Sequence, residues 1–345
     1  MMGVTMTVVE AARSALQNEM RQNPDIWVLG EDIRHGGVFG QYKGLVDEFG
    51  PDRIVDTPIA EATMVGAAVG AALLGTRPVV ETRFSDFALS AIDEIVNQAA
   101  KIRYMFGGQG RVPLVVRMPS GLRRGSAAQH SQSFEAWFAH VPGLVVTAPA
   151  TPSDATGLLL TALRGEDPVM HLEAKELWNI SGEVAAEVAP IPFGVGKVVR
   201  SGTDLTVVTW GVALHEAVRA AQELEDRCGV SAEIIDLRTL WPWDKQLVLW
   251  SVARTRRIVV VHESVRDVGL GAEIAATVAE ELHQTLRAPV RRVASPRIPV
   301  GYSAPLEDVY RVQASKIIQT VASMVGVDVA HPARMPGRVA VSDQY

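Results

Sequence analysis

A single cysteine, Cys228, stands in a chain of 345 residues. That excludes an internal disulfide and any zinc or iron–sulfur site built from several thiolates. Positive charge is not in excess either: 33 lysines and arginines face 39 aspartates and glutamates, a net of −6. Nucleic-acid binding needs a concentrated basic face, so nucleic acid is not an expected partner. The N-terminus, MMGVTMTVVEAARSALQNEM, lacks a basic segment followed by an apolar one. No signal peptide is therefore read, and a cytoplasmic protein is the expectation. The uncharged stretch ATMVGAAVGAALLG at 62–75 is shorter than the roughly 20 residues a membrane span needs, so no membrane is expected. No G-x-G-x-x-G opens a helix after a strand, and neither G-x-x-x-x-G-K-[ST] nor H-E-x-x-H occurs. The eight histidines have no ligand spacing. A self-contained nucleotide site and a histidine zinc site are both missing.

What is present is material for a large core. Hydrophobic residues make up 48% of the chain, and its length suits two domains better than one. Short apolar runs alternate with longer amphipathic ones. Strands are expected at 27–30, 77–81, 112–117, 143–148 and 168–173, then at 205–211, 231–237, 257–263 and 288–293. Runs such as LTVVTW and RIVVVHE are apolar at successive positions, as in strands covered on both faces of a parallel sheet. Helices are expected between them, at 7–21, 62–75, 88–104, 152–164, 213–226, 271–287 and 314–324. Thr151-Pro152 and Asp244 mark helix starts. The alternation predicts an α/β fold of two domains with mainly parallel sheets. The segment EVAAEVAPIPFG at 183–194, with Pro190 and Pro192, suits an extended linker. One domain is placed at 1–187, a linker at 188–194, a second domain at 195–328 and a tail at 329–345. Gly66 and Gly70 leave one face of the 62–75 helix nearly bare, open to close packing within the chain or across a subunit interface.

Two segments carry candidate chemistry. In Asp56-Thr57-Pro58-Ile59-Ala60-Glu61, Thr57 and Pro58 read as helix cap and first helical residue. Glu61 then falls one place beyond the capping-box position, and an acid entering so apolar a helix needs a specific partner. It either complements the helix N-terminus or serves a ligand. In Gln129-His130-Ser131-Gln132, a loop between the strand at 112–117 and the next helix is where an α/β sheet presents its site. His130 is either a hydrogen-bonded structural histidine or a proton carrier and anion holder. Ser131 has no G-x-S-x-G around it.

Together these segments resemble a known family. GED at 30–32, GGVFGQYKGL at 36–45, DTPIAE at 56–61, SDFALSAIDEIVNQAAKIRYM at 85–105, AQHSQSFEAWFAHVPGL at 128–144 and IIDLRTLWPWD at 234–244 carry the likeness over roughly residues 5–326. The chain resembles the β subunit of the thiamine-diphosphate-dependent E1 component of 2-oxo acid dehydrogenase complexes (pyruvate, branched-chain and acetoin types). The resemblance implies a pyrimidine-binding domain followed by a transketolase C-terminal-like domain. It also implies an α2β2 assembly in which an α subunit carries the G-D-G…N motif for Mg²⁺ and the diphosphate. No G-D-G occurs in this chain, which would then hold half of a cofactor site.

By the same resemblance, Glu61 matches the glutamate that hydrogen-bonds the aminopyrimidine of thiamine diphosphate. Phe87 matches the aromatic that stacks on that ring, and Ile59 lines the same pocket. His130 matches the histidine that steadies intermediates and helps pass the acyl group to a lipoyl E2 partner. Potassium, held by backbone carbonyls in several members, would fall at Leu114, Ala162, Gly165 and Asp167. The implied function is decarboxylation of a 2-oxo acid, or cleavage of acetoin, with acyl transfer to lipoamide. An acyloin-forming heteromer not tied to E2, and a non-catalytic α/β scaffold, are the alternatives.

The chain departs from the family pattern at Arg83, Arg123 and Arg124. Three guanidinium groups near one pocket suit an anionic substrate. Arg123-Arg124 equally suits a solvated loop or a contact with the α subunit or a lipoyl domain. VRDVGLGAEI at 265–274 and SPRIPVGYSAPLED at 295–308 also depart, in the domain that often docks E2. WPWD at 241–244 leans towards branched-chain members, and Gln129-His130 towards pyruvate and acetoin types.

Overall fold

A computed structural model describes residues 3–328, and the expected tail at 329–345 lies outside the described residues. Two parallel-rich sheets organise the chain. The larger has seven strands in the order Thr239–Trp241, Val145–Thr147, Val169–Ala174, Val115–Ser120, Arg77–Glu81, Ile26–Gly30 and Ile54–Asp56. All its pairs are parallel except Thr239–Trp241 against Val145–Thr147. The second sheet has the order Arg291–Ser295, Ile258–Val265, Leu205–Thr209, Ala232–Asp236 and Lys197–Arg200, with only the last pair antiparallel. A two-stranded antiparallel ribbon joins Val4–Thr7 to Ser181–Val184.

The continuous apolar runs follow from burial on both faces. Successive residues sort into two core clusters: Val28, Val79, Val115, Val207 and Val259 into one, Leu29, Val80, Val116, Val208 and Val260 into the other. A period-two backbone between two apolar layers needs an apolar residue at every position. Helices flank these layers. Thr151 caps Pro152–Arg164 by accepting from the Asp154 N–H, and Asp244 caps Lys245–Thr255 by accepting from the Leu247 N–H, as expected.

Two expectations are corrected, and one strand was not foreseen. The strand Thr239–Trp241 belongs to the first sheet although it lies beyond the expected linker; its pairing with Val145–Thr147 is a long-range event with no local signal. The single helix expected at 88–104 is a 3₁₀ turn at Phe87–Ala91, a π-helical stretch at Glu94–Ala99 and an α-helix at Ala100–Met105. Thr57 and Pro58 do not start a helix. The Thr57 N–H donates to the Gly30 carbonyl at 3.0 Å, which prolongs the pairing of Ile54–Asp56. The residue before a proline is kept out of the α region, so the chain stays extended and the helix begins at Glu61.

Candidate active site

The carboxyl ends of the larger sheet's parallel strands are where such a sheet exposes groups to a ligand. Glu31 follows Ile26–Gly30, and the helix Glu61–Leu73 follows Ile54–Asp56. Arg83, Phe84 and Phe87 follow Arg77–Glu81. Arg123, Arg124 and His130 follow Val115–Ser120, and Lys175 and Trp178 follow Val169–Ala174.

Glu61 is the first helical residue, after an Ala60 with no side-chain cap, so the unpaired N–H groups of the first turn lie beside its charge. It is 8% exposed, and its Oε2 accepts from the Ser90 hydroxyl at 2.9 Å. Glu31 is its electrostatic neighbour. Burial raises the Glu31 carboxyl above the usual carboxylate range, Arg83 opposes this, and Glu61 and Asp32 add to it. Glu31 Oε1 and Thr57 Oγ1 are buried without a hydrogen-bond partner among the described residues. Buried polar atoms of this kind need a partner, and a polar ligand would supply one.

An aromatic cluster continues from there. Phe87 meets His130 edge to face at 5.3 Å, and Phe84 meets Phe87 at 5.5 Å and His130 at 5.1 Å. Phe39 extends the cluster, 6.4 Å from Phe84 and 4.3 Å from Trp178. Phe39 arrives on the 36–45 loop, which is anchored by the fully buried Tyr42 beneath the Arg117 guanidinium at 5.1 Å. Arg117 in turn donates to Glu173 at 2.7 and 2.9 Å.

The loop bearing His130 is gripped on all sides. Leu122 N–H donates to Glu263 Oε1 at 2.6 Å, Gly125 N–H to Glu307 Oε1 at 2.7 Å, and Gln132 Nε2 to Asp86 Oδ1 at 2.8 Å. The Ser85 hydroxyl donates to the Gln132 carbonyl at 2.9 Å, and Lys175 Nζ donates to the His130 carbonyl. Gly121 has φ +76°, and a Cβ there would sit 2.3 Å from Glu263 Oε1, so glycine alone fits.

Glu61, Phe87 and His130 therefore share one region. The other expected residues are placed differently. Ile59 is 79% exposed. Arg83 is buried and already paired, 2.9 Å from Asp32 Oδ2 and 3.7 Å from Glu31 Oε2. Arg123 lies over the Phe39 and Trp178 rings at 4.3 and 5.8 Å, and Arg124 is exposed. At the expected potassium positions, the Gly165 carbonyl accepts from Arg77 at 2.6 Å, Ala162 from the Gly165 N–H at 3.2 Å and Leu114 from the Val169 N–H at 2.9 Å. The Asp167 carboxylate pairs with Arg103.

Comparison with known proteins agrees with this architecture. The transketolase pyrimidine-binding domain family matches residues 4–179, and the transketolase C-terminal domain family matches 194–317. The 2-oxoisovalerate dehydrogenase subunit beta of Bacillus subtilis is 41% identical over 315 residues, 90% of this chain and 96% of that protein. The pyruvate dehydrogenase E1 component subunit beta of Rickettsia felis is 41% identical over 317 residues, 92% of this chain and 97% of that protein. The chain belongs to the E1 β-subunit family. A further relative of this E1 β chain, the acetoin:2,6-dichlorophenolindophenol oxidoreductase subunit beta of Cupriavidus necator, is 43% identical over 323 residues, 90% of this chain and 95% of that protein. A solved split-gene transketolase, an inactive β4 tetramer, is 25% identical and superimposes with a TM-score of 0.76 over 93% of this chain and 99% of that one.

Sequence reasoning missed several members of this E1 β site. Phe84 is the hub of the ring cluster, three places before Phe87 in RFSDF. Asp86 and Ser90 hold the His130 loop and Glu61, and Glu31 sits inside the GED run. Lys175 had a legible signal: a lysine set immediately after a strand buried along nearly its whole length. Among the described residues no helix is long and apolar enough to cross a membrane.

Proposed function

We propose that this chain is the β half of a thiamine-diphosphate enzyme that decarboxylates a 2-oxo acid, or cleaves acetoin, and passes the acyl group to lipoamide of an E2 partner. The observation that carries it is the meeting of Glu61, Phe87 and His130 at strand ends, beside buried Glu31 and Thr57 oxygens that lack partners among the described residues. That donor set fits an aminopyrimidine: one carboxylate, one ring face and unpaired polar atoms. The chemistry thiamine diphosphate supplies when bound is an electron sink for breaking the bond between a carbonyl carbon and its carboxylate.

This chain's own part is binding and proton placement. Ser90 fixes Glu61 Oε2, which leaves Oε1 to hold a proton against a ring nitrogen. Phe87, half-buried, offers a face for stacking. His130, beside that ring, holds or donates a proton at the substrate's oxygen. Ile59, exposed on this chain, becomes pocket lining when an α subunit closes the site and brings Mg²⁺ and the diphosphate cradle. Arg83 is engaged by carboxylates, so Arg123 and Arg124 are the groups that would meet a substrate or lipoyl-domain anion.

The name of the Cupriavidus relative favours one second reading, in which acetoin is the substrate and the acceptor differs. Gentle affinity purification from the native host, with mass spectrometry of what co-elutes, tests both. Recovery of a G-D-G…N subunit and a lipoyl protein, with decarboxylation by the recovered complex, is the expected result. A G-D-G subunit without a lipoyl protein, in a complex that cleaves acetoin, supports the second reading. Recovery of this chain alone, inactive on every 2-oxo acid and on acetoin, overturns the shared-site reading in favour of a scaffold.

A further inference from the structure

Lys175 is a buried charge to which the catalytic reading gives no task. It is 4% exposed and follows directly on the strand Val169–Ala174. An ammonium removed from water must be met by acceptors. Here Nζ donates to the backbone carbonyl of His130 and lies 4.6 Å from the centroid of the Phe84 ring. The same ring touches both His130 and Phe87 through its edge contacts. Lys175 therefore joins the loop that carries the imidazole to the platform against which that imidazole rests, through a charged hydrogen bond and a cation–π contact.

We propose that Lys175 is a positioning residue of the active site: its ammonium locks the His130 backbone onto the Phe84–Phe87 platform, so that the imidazole keeps one orientation towards the substrate. The inference rests on the reading of His130 given under the proposed function. Asp86 holds the other side of the loop, its Oδ1 accepting from Gln132 N and Nε2 at 3.3 and 2.8 Å. The charged groups facing Lys175 are Asp86 from the Phe87 segment, Glu263 from the second sheet, Arg123 from the His130 loop, and Glu176, itself paired with Arg311. Burial brings Lys175 down to about 8, with Asp86 and Glu263 pulling it back up and Arg123 adding to the fall. The lock is charged at neutral pH and loses its proton as pH rises through about 8. Activity that depends on it falls on the alkaline side.

The test uses the reconstituted enzyme with its α subunit, measuring kcat and KM against pH, cofactor affinity by titration, and thermal melting. Lys175→Met is expected to lower kcat by about tenfold or more, with cofactor affinity within about twofold of wild type. Lys175→Arg keeps a charge that does not titrate, so it is expected to recover most of kcat and to move the alkaline limb up by about one pH unit or more. A kcat in Lys175→Met within about twofold of wild type, while His130→Gln is impaired, overturns this inference alone. An alkaline limb in Lys175→Arg that coincides with wild type also overturns it. Wild-type kcat in His130→Gln overturns the reading of the site and this inference with it. Should neither lysine variant assemble, the wild-type profile decides: an alkaline fall in kcat near pH 8 not shared by cofactor affinity supports the lock, and a flat kcat to about pH 9.5 overturns it.

Discussion

The two mainly parallel sheets use the carboxyl ends of their strands in opposite ways. In the five-stranded sheet the ends are consumed by contacts within that sheet and with the other half of the chain. Trp210, after Leu205–Thr209, stacks on His262 at 5.0 Å and donates to Glu135 at 3.2 Å. Arg238, after Ala232–Asp236, reaches Asp154 at 3.3 Å, and Glu263, within Ile258–Val265, accepts from Leu122 N–H. In the seven-stranded sheet the ends stay open: Ser90 beside Glu61 is exposed, Ile59 is exposed, and the Asp32 side chain is 69% exposed. The difference teaches that a parallel sheet's carboxyl edge becomes a site only where no neighbour covers it. One sheet's covered edge forms the back wall of the other's open one.

Breaking the open edge should cost turnover and spare the fold. Glu61→Gln in the reconstituted enzyme is expected to lower decarboxylation by about 10²–10⁴-fold, the usual range for loss of a positioned proton carrier, with assembly intact by gel filtration. Unchanged turnover would remove Glu61 from the chemistry.

Breaking the covered edge should show first in stability. Glu263→Ala leaves the Leu122 N–H buried without an acceptor and should cost about 1–3 kcal/mol in denaturant unfolding. Glu263→Gln keeps an acceptor and should cost less. A full-sized loss in the glutamine variant would locate the effect in charge instead. The pH dependence sharpens this. Burial raises Glu263 to about 7, so between the ordinary carboxylate range and about 7 the folded state keeps a proton that the unfolded state releases. Its contribution is fully present at low pH and is lost as pH rises through about 7. The stability of wild type relative to Glu263→Gln should therefore fall as pH is raised from about 5 to 8, read as the difference in melting temperature at each pH.

The smallest effect is expected from potassium. Each of the Leu114, Ala162 and Gly165 carbonyls already accepts a hydrogen bond, and the Arg77 guanidinium supplies positive charge at Gly165. Replacing sodium by potassium at equal ionic strength should shift the melting temperature by about 2 °C or less. A larger potassium-specific rise would establish the carbonyl cage that the family resemblance implies.

Much of this was legible along the chain. Strands at 77–81 and 205–209 announce themselves because a doubly covered strand must be apolar at every position. Helix starts at Thr151 and Asp244 are legible because capping is a local hydrogen bond. Glu61, Phe87 and His130 lie in recognisable segments, and they meet because the ends of Ile54–Asp56, Arg77–Glu81 and Val115–Ser120, all on one carboxyl edge of the same sheet, carry them. The interruption of the 88–104 helix was hidden, since the 3₁₀ turn and π-helical stretch leave the apolar periodicity nearly unchanged.

The sequence by itself determined the alternation of strand and helix and the mainly parallel character of both sheets. Each of these follows from residue type and spacing over a short reach. Tertiary structure alone decided that Arg83 is spent on Asp32 and Glu31, that Glu263 reaches 141 residues back to hold Leu122, and that Lys175 lies against His130. Such pairings depend on strand register and on which sheet edge is covered, and in these cases no local propensity records either.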